Sequence, residues 1–317
     1  MDTTRTESLD AGTWPSQDVV SRASLRAAGI DDRLLARAAR AGLILRLRHG
    51  AYIPTHRWRM LTPWERDEAR LDAHIEDTRG CSVYCLASAA RLLGCSVWDV
   101  GPRVHVATEY AGARTSRSSD TETHQFALAP DEVVTVVRRD RRLRVTSLLR
   151  TVADCARVLP FEQAVVIGDS ALKAGLDQSD LEAALATGSP RGRQRALRAL
   201  RSMDSAVEPV GETRTRLLLV RLGFPRPVAQ LELSTAAGVY RADYAWPDLL
   251  VIIEFDCEAK YGLGPTGEVL LSERRRESLL MEQGWVFVRL RWGDLDRPDE
   301  VRRRIEAAIA TAARRSA

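Results

Sequence analysis

VYRADYAWPDLLVIIEFD, residues 239–256, is the stretch on which the reading of this chain turns. Two runs of strand-forming residues, Val239–Trp246 and Leu249–Asp256, flank Pro247-Asp248. A proline-led turn between such runs predicts an antiparallel pair. With Pro247-Asp248 as a two-residue turn, Trp246 faces Leu249, Asp243 faces Ile252 and Arg241 faces Glu254. Period-two alternation then puts Asp243, Glu254 and Asp256 on one face. Glu254 becomes a diagonal neighbour of Asp243, at roughly 7–8 Å between backbones. Carboxylates at the end of so apolar a strand are costly to desolvate unless something compensates. A divalent cation would compensate, and hard oxygen ligands with room for water suit Mg²⁺.

Outward from this hairpin, the C-terminal third reads as one small α/β unit. Gly211–Phe224 (GETRTRLLLVRLGF) predicts a helix with Glu212 in its first turn, and Gln230–Leu233 a short strand. LSERRRESLLMEQG predicts a helix ending at Gly284, WVFVRLRW a further strand, and Pro298–Ala313 a last helix. The order is helix–strand–strand–strand–helix–strand–helix, a sheet covered by helices. Beyond Asp256 the chain runs into CEAKYG, which brings Lys260 close behind the carboxylates. Lys173 and Lys260 are the two lysines among 47 basic residues. A compact ammonium beside metal-bound carboxylates can orient water or neutralise a scissile phosphate, a role arginine fills poorly.

At the other end, Ser21 is placed to cap a short helix to Ala28, and Gly29 breaks it. Asp31 or Asp32 caps a second helix through Ala41, which Gly42 terminates. In LILRLRHGAYIP, Leu45 and Leu47 alternate with Arg46 and Arg48, His49-Gly50 turns, and Ala51–Ile53 returns as a two-stranded wing. Two short helices and a basic wing make a winged helix-turn-helix. Arg33, Arg37 and Arg40 lie at helical spacing on the second helix, where they can meet base edges or phosphates. Arg46 and Arg48 on the wing would hold the DNA backbone.

The chain has 317 residues, 45% hydrophobic and 28% charged, ordinary for a folded protein of two or three domains. The organisation expected is a loose leader at 1–15, the winged helix at 16–59, a mixed α+β segment at 60–201, a linker at 202–211 and the α/β unit over 208–317. In the middle segment, CLASAARLLGC, RVTSLLRTVADCARVL and FEQAVVIGDSALKAGL read as helices. VHVAT and His124–Val137 read as strands. His105 and His124 read there as structural residues. No apolar run approaches the ~20 residues of a membrane span, and no signal peptide is read at the N-terminus. The five cysteines are irregularly spaced, without a CxxC pair, and read as reduced thiols of a cytoplasmic protein. Net charge is +4, but Arg22–Arg59 and Arg191–Arg226 are locally basic, which favours an anionic partner, DNA first.

These residues carry two resemblances. Glu212 in a helix, Asp243 in a strand, then Glu254-x-Asp256 with Lys260 nearby resembles the PD-(D/E)XK nuclease superfamily. EFDCEAKYG followed by SERRRESLLMEQGWVFVRLRWGDL is similar, more narrowly, to the Vsr-like endonucleases, including domain-of-unknown-function family 559. The resemblance covers about residues 208–312 and implies Mg²⁺-dependent hydrolysis of DNA phosphodiesters. It implies Asp243 and Glu254 as metal ligands, Asp256 as a further acid at the metal, Glu212 as the upstream helix acid and Lys260 as the catalytic cation. Two departures stand against it. Cys257 takes the position commonly held by Gly, and Lys260 lies six residues past Glu254 rather than two.

SLRAAGIDDRLLARAARAGLILRLRHGAYIP resembles the winged-helix N-terminus of AbiEi-type antitoxins of type IV toxin–antitoxin systems, which are transcriptional autoregulators. CLASAARLLG and VTSLLRTVADCAR resemble the segment next to the winged helix in that group. The combined expectation is a multi-domain α/β protein that binds DNA and carries an endonuclease-like C-terminal domain. The alternative is a non-catalytic regulator of the AbiEi class. DNA is the expected partner and a membrane is not. A homodimer is compatible with the reading, and a cognate toxin is compatible but not assumed.

Overall fold

A computed structural model describes residues 14–78, 82–108, 120–206, 210–256 and 267–316. The chain forms two compact units. One runs to Gln163 and takes in Ser179–Ala196; the other combines Ala164–Gln178 with the chain from Leu197 onward.

The first unit opens with β1 (Val20–Ser21), α1 (Arg22–Ala27), α2 (Asp32–Arg40), β2 (Ile44–Arg48) and β3 (Ala51–Pro54). The caps form where the sequence places them. Ser21 accepts from the Ser24 N–H at 3.1 Å, and Asp31 from the Leu34 N–H at 2.8 Å. Gly42, just past α2, has φ 72°, a conformation that costs a glycine little. Leu25, Ile30, Leu35, Ala38 and Ile44 form the core of this module, and the sheet order is β1-β3-β2.

α3 (Thr55–Met60) and α4 (Pro63–Thr78) lead to a second sheet. Its elements are β4 (Val83–Tyr84), α5 (Leu86–Leu92), β5 (Val104–Thr108), β6 (Thr121–Gln125), β7 (Val133–Arg138), β8 (Arg141–Thr146) and α6 (Leu148–Val158). The strand order is β6-β5-β4-β8-β7. His124–Val137 is therefore not one strand. It is the end of β6 and most of β7, separated by a 3₁₀ turn at Pro130–Glu132 whose entry is fixed by Glu132 accepting from the Ala129 N–H.

α7 (Phe161–Lys173), α8 (Gln178–Thr187) and α9 (Arg193–Leu200) come next. The chain passes between the units three times in this region, so the division is not one break at a linker. Part of the segment expected to be a linker is packed within the second unit. Met203 is buried, the Asp204 N–H donates to Asp169 at 2.7 Å, and a Cβ at Gly168 would lie 2.3 Å from the Met203 sulfur. Asp169 is itself buried and pairs with Arg216 and Thr213, each at 2.7 Å.

The second unit continues with α10 (Val210–Arg221), β9 (Val228–Thr235), β10 (Gly238–Trp246), β11 (Val251–Phe255), α11 (Gly267–Glu282), β12 (Val286–Leu290) and α12 (Pro298–Ser316). The sheet order is β12-β11-β10-β9; β9, β10 and β11 pair antiparallel, and β12 lies parallel to β11. A helix connects β11 to β12, as a parallel pair requires.

The central hairpin corrects the expected register. Tyr244 pairs with Ile253, Ala245 with Ile252 and Trp246 with Val251. Pro247–Leu249 form a 3₁₀ turn and Leu250 is left-handed at φ 50°, so the loop is longer than the two residues expected. The slip is by two, so across Tyr244–Trp246 each residue keeps its face while changing its partner. Asp243 lies just past the last of these pairs and does not face Ile252, which pairs with Ala245.

Alternation also fails at one point. Tyr240 and Ala242 pack with Ala245, Ile252, Leu280 and Trp285, whereas Tyr244 and Trp246 pack with Val251, Ile253 and Phe255. β10 thus changes face at Asp243, and the neighbouring residue in β9, Gln230, has φ 52°.

Candidate functional site

The face change places the Asp243 carboxylate at the end of the β10–β11 pairing, where it accepts from the Phe255 N–H at 2.8 Å. Glu254 leaves β11 on the side of Tyr240, whose hydroxyl donates to it at 3.0 Å. Glu212 arrives from α10 and is buried, 7% exposed; Gln230 donates to its Oε2 at 3.0 Å. The Tyr244 hydroxyl donates to the Glu212 backbone carbonyl at 3.1 Å, fixing the first turn of α10 over the strand. Gly211 permits this approach, since a Cβ there would lie 1.9 Å from the Phe255 ring.

The electrostatics arise from this crowding. Burial first, then the charge of Asp243, pushes the Glu212 carboxyl up to about 8. The same two causes push Glu254 up to about 8. Burial also raises Asp243, partly offset by the Phe255 N–H and by a hydrogen bond with the Glu254 side chain. The charge of Asp243 thus acts on both other acids, and Arg241 and Lys173 only partly offset the burial of Glu212. Hard oxygen donors that lack full compensation fit a divalent cation better than they fit each other.

Asp256 is partnered differently from these three acids. Its Oδ1 accepts from Arg289 at 3.1 Å, and Arg289 also holds Glu277 at 2.7 Å, so a guanidinium already neutralises it. Lys260 and Cys257 lie outside the described residues. Arg289, Arg291, Arg297 and Arg304 line a cleft of about 510 Å³ that reaches Asp256. Gln230, Tyr240 and Gly211 escaped sequence reasoning. Each acts through a partner distant in sequence, so no local signal marks it.

In the N-terminal module, Arg33 and Arg40 of α2 are exposed and Arg37 is half-buried. Arg46 on the wing is exposed too, with its Nε on the Arg48 carbonyl at 3.4 Å. Arg48 is different. It is only 16% exposed and donates to Asp77 at 2.6 Å and to Asp120 and Thr121 at 2.9 Å each. A register shift in β2 between Arg46 and Arg48 breaks the expected alternation. Arg48 is therefore a structural clasp within the first unit, not part of the exposed basic wing.

Cys85, Cys95 and Cys155 are free and buried, as expected of reduced thiols; Cys81 and Cys257 lie outside the described residues. Among the described residues no helix is long and apolar enough to cross a membrane.

Comparison with known proteins identifies one segment. Residues 16–55 match the family described as transcriptional regulator, AbiEi antitoxin. These residues run from ahead of β1 to the start of α3. No curated protein matches the chain.

Proposed function

We propose that this chain is a DNA-binding protein whose C-terminal unit carries a metal-dependent phosphodiesterase site. One observation carries the catalytic part: Glu212, Asp243 and Glu254 are desolvated carboxylates held at the β10–β11 pairing by Gln230, the Phe255 N–H and Tyr240, although the three do not all bring a ligand atom within 4.8 Å of one another. The helix–strand–strand–strand–helix–strand–helix order that frames them supports the nuclease-like reading. Asp243 and Glu254 would hold Mg²⁺, with Glu212 facing them from α10. The metal would supply Lewis-acid stabilisation of a phosphoryl oxygen and a more acidic water. The chain's own residues orient the acids: Tyr240 on Glu254, Gln230 on Glu212, and the Phe255 N–H on Asp243. The arginines of the adjoining cleft suit the phosphates on either side of a scissile bond. Lys260 remains the proposed cation of this site.

The winged helix would bring the protein to duplex DNA through Arg33, Arg37, Arg40 and Arg46. A second reading, a non-catalytic regulator of the AbiEi class, is favoured by the match at residues 16–55, since that module alone can occupy an operator. Plasmid and short duplexes incubated with protein and Mg²⁺ separate the two. Metal-dependent cleavage that disappears in Glu254→Ala supports the enzyme. Salt-sensitive binding without cleavage of duplex, single-stranded or mismatched DNA supports the regulator.

A further inference from the structure

The middle sheet brings together three side chains that sequence reading kept apart. β5 and β6 run parallel, with His105 paired to Glu122 and Ala107 to His124. His105, Glu122 and His124 therefore share one face. Their ligand atoms all lie within 4.8 Å of one another, which no other group of three His, Cys, Asp or Glu achieves among the described residues. His105 Nδ1 is 2.9 Å from His124 Nε2, and that nitrogen is 3.9 Å from Glu122 Oε1.

These separations suit ligands of one ion. With bonds of about 2.0–2.1 Å, ligands at right angles lie about 3.0 Å apart and opposite ligands about 4.1 Å apart. The two facing nitrogens, His105 Nδ1 and His124 Nε2, are the ones an ion would take; the buried Nε2 of His105 is the other nitrogen of its ring and has no hydrogen-bond partner among the described residues. His105 is 6% exposed, while Glu122 and His124 line an open cleft of about 1390 Å³ with Phe126, Arg150 and Arg157. The buried ligand is thus fixed, His124 is 14% exposed in its side chain, and Glu122 is more exposed, with its Oε2 accepting from Arg103 at 3.3 Å and its Oε1 nearer His124. The Phe126 ring stacks on His124 at 5.6 Å between centroids and sets its plane.

We propose that His105, Glu122 and His124 form a second metal site, for a divalent transition ion of the Zn²⁺ or Co²⁺ class. Two imidazoles and one carboxylate favour such an ion over Mg²⁺, and water from the cleft would fill the remaining positions. This site is separate in the fold and in chemistry from the carboxylates of the second unit.

The test is a Co²⁺ titration of EDTA-stripped full-length protein, followed by visible absorption and by equilibrium dialysis with elemental analysis. It is run in the Glu254→Gln background, so that the carboxylate cluster does not compete. One saturable equivalent, displaced by Zn²⁺, is expected. His124→Gln and Glu122→Gln should each weaken it at least tenfold, with the Co²⁺ spectrum changed. Glu122 is 40% exposed in its side chain, so its variant preserves the fold even where a histidine variant does not, as circular dichroism will report. Absence of a saturable equivalent, or affinity unchanged in folded Glu122→Gln and His124→Gln, would overturn the proposal.

Discussion

Arg33 and Arg48 are the same residue type in the same module, yet they are expected to fail differently when removed. Arg48 holds Asp77 and Asp120 in a part-buried clasp. Arg48→Ala should cost about 1–3 kcal/mol, because it leaves two carboxylates without their charged donor. The thermal midpoint should fall, while DNA affinity of the folded fraction stays near wild type. Arg33→Ala or Arg40→Ala should shift stability by less than about 0.5 kcal/mol, since both are exposed. Each should weaken duplex binding and reduce the salt slope by about one. Gel shifts at several salt concentrations, beside thermal melts, check both halves. The acids of the second unit give a pH prediction. Glu212 and Glu254 rise from 4.5 to about 8 on folding, so the folded state binds more protons than the unfolded one between those values. Stability contributed by their protonation is full below about 4.5 and is lost as pH rises towards 8. In EDTA, the melting temperature of the second unit should therefore fall across that window. Glu254→Gln should flatten the fall, and an unchanged slope would remove the desolvated-pair explanation.

Among the elements, α10 and the β10–β11 hairpin decide where the acids meet. α10 can lie close to β11 because Gly211 has no Cβ to strike the Phe255 ring. Gly211→Ala gains about 0.5–1 kcal/mol in helix propensity but overpacks at a cost of about 1–3 kcal/mol. Overpacking outweighs propensity, so the variant should be less stable, as a denaturant titration would show. It should also draw Glu212 away from Asp243 and lower the midpoint of the Glu212 titration followed by carboxyl infrared bands. The hairpin shows what was legible at this scale. Strands, turn position and facing helices are set by apolar runs and by Pro247, which are local. Loop length and the face change at Asp243 are not, because they depend on how Leu250 and Gln230 are held by neighbours distant in sequence. The wing behaves alike: Ser21, Asp31 and Gly42 act on the next few residues and could be read directly. The irregularity between Arg46 and Arg48 arises only when β2 pairs with β3.

At the scale of the whole molecule, the arginine content separates into two populations. Many arginines of the first unit are fixed on the acids of α4: Arg138 on Glu68 and Asp72, Arg139 on Asp72, Arg141 on Glu76, and Arg91 on Asp67. The exposed arginines of α2 and the wing remain at the surface. Salt should therefore act unequally on binding and on folding. If about three phosphates are contacted, a tenfold rise in salt should weaken duplex binding on the order of 10²–10³-fold. Part-buried pairs are screened far less, so the melting temperature should move by only a few degrees over the same range. Fluorescence anisotropy and calorimetry on one preparation test this directly. A melting temperature that tracks affinity would mean that the ion pairs on α4 are weak and the two populations are not distinct.

The sequence by itself determined most helices and strands of both ends, the caps of α1 and α2, and the candidacy of Glu212, Asp243 and Glu254. Those features rest on hydrophobic periodicity, turn chemistry and apolar runs that end in carboxylates, all carried by nearby residues. Only the tertiary structure decided that Arg48 is a clasp, that Arg289 neutralises Asp256, that Asp243 stands where its strand changes face, and that His105 meets His124. Each of these depends on which strand lies beside which, and in what register. Pairing is a balance of side-chain packing and backbone hydrogen bonding across distant segments, and no short stretch of the chain contains both sides of it.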